Sequence, residues 1–292
     1  MNKEVLASHV ADIEAGMKEY MPEENGYQRT VFEAVNYSLL AGGKRLRPMF
    51  LYEAYRMFGG TDEKAVRPFM MALEMIHTYS LVHDDLPAMD DDEYRRGKLT
   101  THKKFGEAMG ILSGDALLNG AFETAFLAFD SETEAAQIGR ALKILGHKAG
   151  MYGMVGGQQL DLEGEHKRCT AEEIHEIHRL KTGALISAAC QLGVIAAGGT
   201  QEQLDAADRY AEALGLAFQT RDDMLDVLGD SGKMGKATGM DENKNTFVRL
   251  YGVGACSRLI EKETQKSIEA LGVFEDSEFL KELSMKLAIR EC

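Results

Sequence analysis

An all-α fold is the structure that this sequence predicts, and three observations lead to it. Apolar residues recur at helical spacing almost throughout the chain, whereas the two-residue alternation typical of strands is hard to find. Only four prolines interrupt the pattern, and tryptophan is absent. No repeat, low-complexity tract or linker divides the 292 residues, so we expect a single domain over residues 1–292, although the length alone would allow two.

The apolar stripes and their interruptions predict about ten helices joined mostly by short turns. Clear stripes at steps of three and four run through residues 6–17, 69–81 and 214–228. Two longer polar stretches, at residues 87–106 and 229–239, are expected to be loops. These loops matter because charged residues are concentrated in and beside them.

The charge balance narrows the classes of partner. Basic residues number 33 and acidic residues 47, which gives a net charge of −14. This balance argues against nucleic acid as a general partner, because a phosphate backbone needs a basic face. A small phosphorylated ligand stays compatible, since a few cations or bound divalent metals can hold it.

Features linked to location predict a cytoplasmic protein. The four cysteines are far apart and form no CxxC pair, so they are expected to be reduced thiols. The N-terminal stretch lacks the apolar core of a signal peptide. The most lipid-like stretch, residues 183–199, contains Gln191 and is slightly short for a span, so we expect a buried helix and no stable membrane insertion.

Two clusters of carboxylates stand out. The first has Asp84, Asp85 and Asp90 followed by two more aspartates, where an apolar helix ends near Pro87. In the second, helical spacing puts Gln219, Asp222, Asp223 and Asp226 on one face.

Carboxylates that share a face repel one another unless cations neutralise them. An all-oxygen set suits a hard cation such as Mg²⁺ or Ca²⁺, and neither cluster has the EF-hand spacing. The two clusters together therefore predict a magnesium cage that binds diphosphate through bridging metal ions.

Basic side chains accompany the first cluster. Arg95 and Arg96 follow it directly, His77 precedes it by two helical turns, and "GGKRLRP" supplies Lys44 and Arg47 at a helix start that favours anions. Together they suggest a second, metal-free phosphate site. For Arg45, in the same stretch, an ordinary surface cation is the better interpretation.

Several stretches resemble the motifs of one known family, the trans-prenyltransferases or polyprenyl diphosphate synthases. Its two aspartate-rich motifs are similar to "LVHDDLPAMDDDEYRRGKLTTHKKFG" and "FQTRDDMLDVLGD". Its other motifs have counterparts in the same order, in "LLAGGKRLRP", "GMVGGQQLDLEG" and "HRLKTGALI". The resemblance runs from roughly residue 25 to the end of the sequence, and the joint match is highly specific. It implies the isoprenoid-synthase fold, a helical bundle around a central cavity, usually as a homodimer.

The resemblance also implies a role for each matching residue. About three Mg²⁺ ions per active site would hold the allylic diphosphate, bound by Asp84, Asp85, Asp90, Asp222 and Asp223. Arg95 would contact the same diphosphate, and isopentenyl diphosphate would be held by Lys44, Arg47, His77 and Arg96. The allylic site would be lined by the catalytic residues Lys181, Thr182 and Gln219 and by Lys236 and Lys244. Structural or outer positions are expected for Asp91, Asp92 and Asp226.

The implied reaction is a head-to-tail condensation of isopentenyl diphosphate with dimethylallyl and then geranyl diphosphate. Tyr79 lies five residues before the first aspartate, where this family commonly places the floor of the cavity. A bulky floor favours a short product, so we expect farnesyl diphosphate (C15), with geranylgeranyl diphosphate (C20) as the alternative. Two departures from the family pattern are Leu99 in place of proline and a shortened 235–247 loop, which puts the role of Lys244 in question.

Other functions fit less of the sequence. A terpene cyclase on the same fold binds no second diphosphate and has no use for the set that contains Lys44, Arg47 and His77. A metal phosphohydrolase built on His83-Asp84 leaves the second cluster unexplained. A non-catalytic subunit would tolerate loss of one cluster, but both are intact.

Overall fold

The computed structural model describes residues 3–228 and 245–290, and this part of the chain is predominantly helical. The all-α prediction is confirmed. In order, the helices are α1 Lys3–Met17, α2 Arg29–Leu39, α3 Leu46–Arg56, α4 Glu63–Asp84, α5 Thr101–Phe105, α6 Glu107–Phe126, α7 Ala135–Ala149, α8 Met154–Gly164, α9 Ala171–His178, α10 Ala184–Ala196, α11 Gln201–Leu228, α12 Phe247–Tyr251, α13 Val253–Ala270 and α14 Glu278–Ala288.

The chain forms two compact units. Of the described residues, the N-terminal unit contains 3–49 and 62–133, and the C-terminal unit contains 50–61, 134–228 and 245–290. The prediction of one domain over residues 1–292 stays a prediction.

In the N-terminal unit, α4 packs against α6. The two helices approach closely because α6 has glycine at position 114, where a Cβ would overlap the imidazole of His83. The His83 Nε2 atom lies 3.1 Å from the carbonyl oxygen of Ile111 on α6. This packing fixes the end of α4, which carries the first aspartate cluster.

The expected loop at residues 87–106 contains regular structure. Tyr94–Arg95 and Lys98–Leu99 form the short antiparallel strands β1 and β2, and α5 follows. The two connecting residues, Arg96 and Gly97, both have positive φ, of 53° and 75°, as in the tight hairpin turns that match strand twist. The hairpin sets the directions of Arg95 and Arg96.

The C-terminal unit is built around α10 and α11. Every residue of α10 is buried, which confirms the predicted buried helix at residues 183–199. A second apolar cluster includes Ile174 of α9, Met224 of α11, Phe247 of α12 and Ile260 of α13. It anchors the end of α11 that carries the second aspartate cluster.

Within residues 3–228 and 245–290, no helix combines the length and apolarity that crossing a membrane requires. Cys169, Cys190 and Cys256 are buried and free, as expected of reduced thiols.

Candidate active site

The first aspartate cluster begins where α4 ends. Asp84 is the last residue of the helix, and Asp85 caps it with a side chain that is 4% exposed. The Nε atom of Arg95 donates to Asp85 Oδ1 at 2.7 Å, and a terminal guanidinium nitrogen of Arg95 lies 2.5 Å from the same oxygen. Burial alone would lower the pKa of Arg95, but the bond and charge of Asp85 raise it. The hairpin cation is thus fixed beside the helix-end carboxylates.

The remaining aspartates of the cluster have different surroundings. Asp90 is exposed, and its backbone N–H donates to the Asp84 carbonyl oxygen at 2.9 Å. Asp92 lies 3.5 Å from Arg95, and Asp91 lies 3.4 Å from Lys103. Asp91 and Asp92 each form an ion pair, and the structural or outer position expected for them stays a prediction.

Arg45 contradicts its interpretation as a surface cation. Its side chain is only 1% exposed, and its backbone has a positive φ of 48°. It donates to Glu74 Oε1 at 2.7 Å, to Glu14 Oε1 at 3.1 Å and to the Leu39 carbonyl oxygen at 2.8 Å. Paired burial of this kind makes Arg45 a structural cation inside the protein rather than an exposed one.

Arg47 and Arg96 form a cationic group beside the imidazole of His77. Burial and the nearby Arg96 lower the pKa of Arg47 to about 10, although Glu74 opposes the shift. Burial, followed by the charge of Arg47 and Arg96, holds the pKa of His77 well below its usual value. The Arg47 Nε atom is buried and has no hydrogen-bond partner. Such a concentration of positive charge favours an anion, as predicted for a phosphate site.

The glycine pair of "LLAGGKRLRP" makes room for this group. The Arg96 guanidinium donates to the carbonyl oxygen of Gly42. A Cβ on Gly43, whose φ is 147°, would lie 2.8 Å from an Arg96 nitrogen. Lys44 follows the pair and is exposed.

Tyr79 lies in the core of α4 and is 6% exposed. Its ring meets the imidazole of His83 edge to face, with 5.8 Å between centroids. Burial and the neighbouring Asp84 raise its pKa to about 12, so the ring stays an uncharged wall. This environment is compatible with a cavity floor, which stays a prediction.

In the C-terminal unit, Lys181 and Thr182 lie on a π-helical turn over Arg179–Gly183. Helix α8 can approach this turn closely because Gly157 has no side chain. A Cβ at that position would overlap the backbone nitrogen of Lys181. One turn further along α8, Asp161 Oδ2 lies 2.5 Å from Lys181 Nζ. The π turn and the Gly157 contact therefore position the lysine.

A hydrogen-bonded chain joins the π turn to the second cluster. Thr182 Oγ1 donates to Gln219 Oε1 at 2.8 Å, and Gln219 Nε2 donates to Asp223 Oδ1 at 3.1 Å. His178 Nε2 lies 3.5 Å from Asp223 Oδ2, and burial lowers the pKa of His178 to about 4. A neutral imidazole thus contacts the carboxylate from its other side.

Asp222 points to a different partner. Its Oδ1 atom lies 2.5 Å from a guanidinium nitrogen of Arg290, and its side chain is 43% exposed. Because Gln219 contacts Asp223 and Arg290 contacts Asp222, the neighbouring carboxylates are held by separate groups. We did not expect Arg290, Glu74, Asp161 or His178 to contribute from the sequence.

The carboxylates fit a hard cation by their chemistry. Within the described ranges, no three acidic, imidazole or thiol side chains are arranged to hold one ion. Mg²⁺ commonly takes only one or two protein carboxylates and completes its shell with water and substrate phosphate. Asp84, Asp85, Asp90, Asp222 and Asp223 supply such oxygens. Lys236 and Lys244 lie outside the described residues.

Comparison with known proteins indicates the same class of enzyme as the aspartate-rich motifs of the site. Residues 28–283 match the family described as polyprenyl synthetase. The farnesyl diphosphate synthase of Micrococcus luteus is 44% identical over 84% of this chain and 83% of its own length. Geranylgeranyl pyrophosphate synthase 3 of Arabidopsis thaliana, a chloroplastic protein, is 43% identical over 85% of this chain and 70% of its own length. A solved FPP/GFPP synthase from Zymomonas mobilis superposes with a TM-score of 0.87 at 32% identity, covering 98% of each chain.

The chain belongs to the polyprenyl synthetase family. The family and the enzyme class predicted from the aspartate-rich motifs are thereby confirmed: this is a prenyltransferase of the kind that extends isoprenoid chains.

Proposed function

We propose that this enzyme makes farnesyl diphosphate by adding two isopentenyl units in turn to dimethylallyl diphosphate, with Mg²⁺ as cofactor. The observation that carries the proposal is the pairing of carboxylate clusters with a separate cationic group. Asp84, Asp85 and Arg95 supply one charged set, and Arg47 and Arg96 supply the other, beside the neutral imidazole of His77.

The allylic diphosphate is assigned to the carboxylate clusters. When bound through Asp84, Asp85, Asp90, Asp222 and Asp223, about three Mg²⁺ ions would neutralise the charge that develops on the departing diphosphate. Arg95 contributes a further positive charge next to Asp85. Ionisation leaves an allylic carbocation, which must meet the isopentenyl double bond before water does.

Isopentenyl diphosphate is assigned to Lys44, Arg47, His77 and Arg96. This substrate keeps its diphosphate, so direct contacts from cations and a neutral imidazole suffice. The buried Arg47 Nε without a protein partner supports an anion at this position, because buried donors are normally hydrogen-bonded.

Thr182 and Gln219 are assigned to the carbocation. Their side-chain oxygens carry partial negative charge, and the bond from Thr182 to Gln219 fixes both without a strong nucleophile. Lys181, tied to Asp161, would contact the diphosphate that leaves. After the new carbon–carbon bond forms, that diphosphate is the base for the final proton loss. Lys236 and Lys244 would complete this site.

The product length is assigned to Tyr79, which is buried and bulky. A C15 product also agrees with the similarity to the farnesyl diphosphate synthase of Micrococcus luteus. The alternative is a C20 product, which the similarity to the Arabidopsis thaliana geranylgeranyl pyrophosphate synthase keeps open.

We further propose a cytoplasmic homodimer in which residues 1–292 act as one domain. Support for the dimer comes from α6, where the apolar side chains of Ile111 and Leu112 are 43% and 49% exposed beside each other. Exposed apolar patches on a folded protein commonly mark contact surfaces.

The test is to incubate the purified protein with isopentenyl and dimethylallyl diphosphates and Mg²⁺, and to measure product chain length. We expect farnesyl diphosphate, and no elongation after chelation of the metal. A C20 product would overturn the assignment of length alone. Release of phosphate or free alcohol without elongation would overturn the synthase function.

A further inference from the structure

Arg290, which follows α14, contacts the turn of α11 that carries Asp222. Its side chain is 8% exposed, and a guanidinium nitrogen lies 2.5 Å from Asp222 Oδ1. The guanidinium carbon lies 3.8 Å from the centroid of the Phe218 ring, one helical turn before Asp222. Ring and carboxylate together confine the charged group.

The backbone at Arg290 is fixed as well. Arg221 donates two hydrogen bonds to the Arg290 carbonyl oxygen, at 2.9 Å through Nε and 2.6 Å through a terminal nitrogen. Arg290 itself donates to the Phe218 carbonyl oxygen at 3.3 Å. An ion pair held at both side chain and backbone loses little freedom when it forms, unlike two long side chains that meet on a surface.

This geometry places a permanent positive charge against one oxygen of a carboxylate assigned to Mg²⁺. Arginine keeps its charge at any physiological pH. A cation at Asp222 therefore shares the carboxylate with the guanidinium and is repelled by it. The two positive charges must oppose each other in binding free energy, whatever the coordination geometry.

We propose that Arg290 is an intramolecular counter-cation of Asp222 that lowers the affinity of this carboxylate for Mg²⁺. The inference rests on the proposed function, which assigns Mg²⁺ to Asp222. Arg290 neutralises the repulsion between Asp222 and its neighbours on α11 without help from a metal. The negative charge of a bound diphosphate offsets the guanidinium, so Arg290 makes metal loading depend more strongly on the substrate.

The test compares Arg290→Gln, which removes the charge, with Arg290→Lys, which keeps it. Mn²⁺ is the probe, and its free concentration is followed by electron paramagnetic resonance during titration of the whole protein. Without diphosphate, Arg290→Gln is expected to bind Mn²⁺ about tenfold more tightly than the wild type, within the usual range of coupling between sites. Arg290→Lys is expected to stay within about twofold of the wild type. With inorganic diphosphate present, the advantage of Arg290→Gln is expected to shrink.

Unchanged or weaker Mn²⁺ binding by Arg290→Gln would overturn the proposal and leave Arg290 with a packing role only. Arg221→Lys is a second variant, because it loses the two-point hydrogen bond to the Arg290 carbonyl oxygen but keeps both positive charges, and it should shift Mn²⁺ affinity in the same direction by less. Asp222→Asn separates the two levels of inference. If Asp222→Asn binds Mn²⁺ like the wild type with inorganic diphosphate present, then Asp222 holds no metal, and the assignment in the proposed function fails together with the role of Arg290. If only Asp222→Asn weakens binding, the metal assignment stands and the counter-cation does not.

Discussion

At the scale of single residues, Tyr79 and His77 are two positions apart on α4, so they face different sides of the helix. The surroundings of each give a different prediction. Tyr79 is packed in the core with its phenol uncharged, whereas His77 meets a group of arginines. The prediction for Tyr79 concerns the hydrocarbon chain of the substrate, and the prediction for His77 concerns the charge around the diphosphate.

Replacing Tyr79 with alanine should lengthen the product beyond C15, because the loss of the ring opens space where the chain is proposed to end. The matched control is Tyr79→Phe, which keeps the ring and should keep the product length. Chain length is measured on the extracted products by chromatography and mass spectrometry. An alanine variant that folds and still stops at C15 would show that another side chain limits growth.

His77 gives a prediction about pH. Burial, with the charges of Arg47 and Arg96, holds its pKa in the folded protein well below the value near 6.5 of an unfolded chain. Below that pH the unfolded chain binds the extra proton first, so the contribution of His77 to stability falls as the pH falls. The free energy of unfolding of the wild type should therefore decline more steeply below about pH 6.5 than that of His77→Gln.

The two unfolding curves can be obtained in urea at several pH values. A difference between wild type and His77→Gln that does not change with pH would mean that the imidazole is protonated equally in both states. The downward direction of the pKa shift matters for function too, because a neutral His77 at pH 7 can donate one hydrogen bond without adding to the charge of the arginines.

At the scale of elements, the π turn over Arg179–Gly183 depends on a glycine in another helix. A Cβ at Gly157 of α8 would overlap backbone atoms of the turn, and backbone cannot move aside as a flexible side chain can. Gly157→Ala should therefore displace Lys181 from Asp161 and Thr182 from Gln219. We expect kcat/KM to fall about 100-fold, the usual effect of misplacing a catalytic group by about 1 Å.

Gly139→Ala is the control for this substitution. Gly139 also lies within a helix of the C-terminal unit, and a Cβ there would meet nothing within 4 Å. Alanine at that position should be neutral or stabilise the protein by about 0.5–1 kcal/mol. Steady-state kinetics and thermal unfolding of both variants give the comparison, and equal activities would contradict the close-approach argument.

The sequence predicts features that depend on neighbouring residues, and it does not predict features that depend on residues far apart in the chain. Helical spacing predicts α4 and α11, and the order of the motifs predicts the family, because both are written in neighbouring residues. Arg45 was misjudged because the carboxylates that bury it, in Glu14 and Glu74, lie 31 and 29 positions away. Arg290 and Asp222 are even further apart, at 68 positions, and no spacing rule links them. The hairpin at Tyr94–Leu99 was missed because two-residue strands show no alternation.

At the scale of the whole molecule, the proposed homodimer would cover apolar surface on α6. Ile111 and Leu112 are adjacent on this helix and are exposed, although the opposite side of α6 carries buried residues such as Ser113 and Leu117. A helix with apolar residues on both a buried and an exposed side is typical of a contact surface. The net charge of −14 opposes association through long-range repulsion, so the contact must come from apolar area.

Replacing both Ile111 and Leu112 with aspartate should convert the protein from dimer to monomer, because four carboxylates, two from each copy, would be buried in the contact without partners. Light scattering after size-exclusion chromatography measures the mass, with the wild type expected at twice 32.2 kDa. Val273→Asp is the control, since Val273 is 44% exposed in the C-terminal unit and its substitution should leave the dimer intact. A double variant that stays dimeric while folded would show that α6 is not the contact. If the double variant is monomeric, unfolds at nearly the temperature of the wild type and no longer elongates the substrate, then activity depends on the second copy.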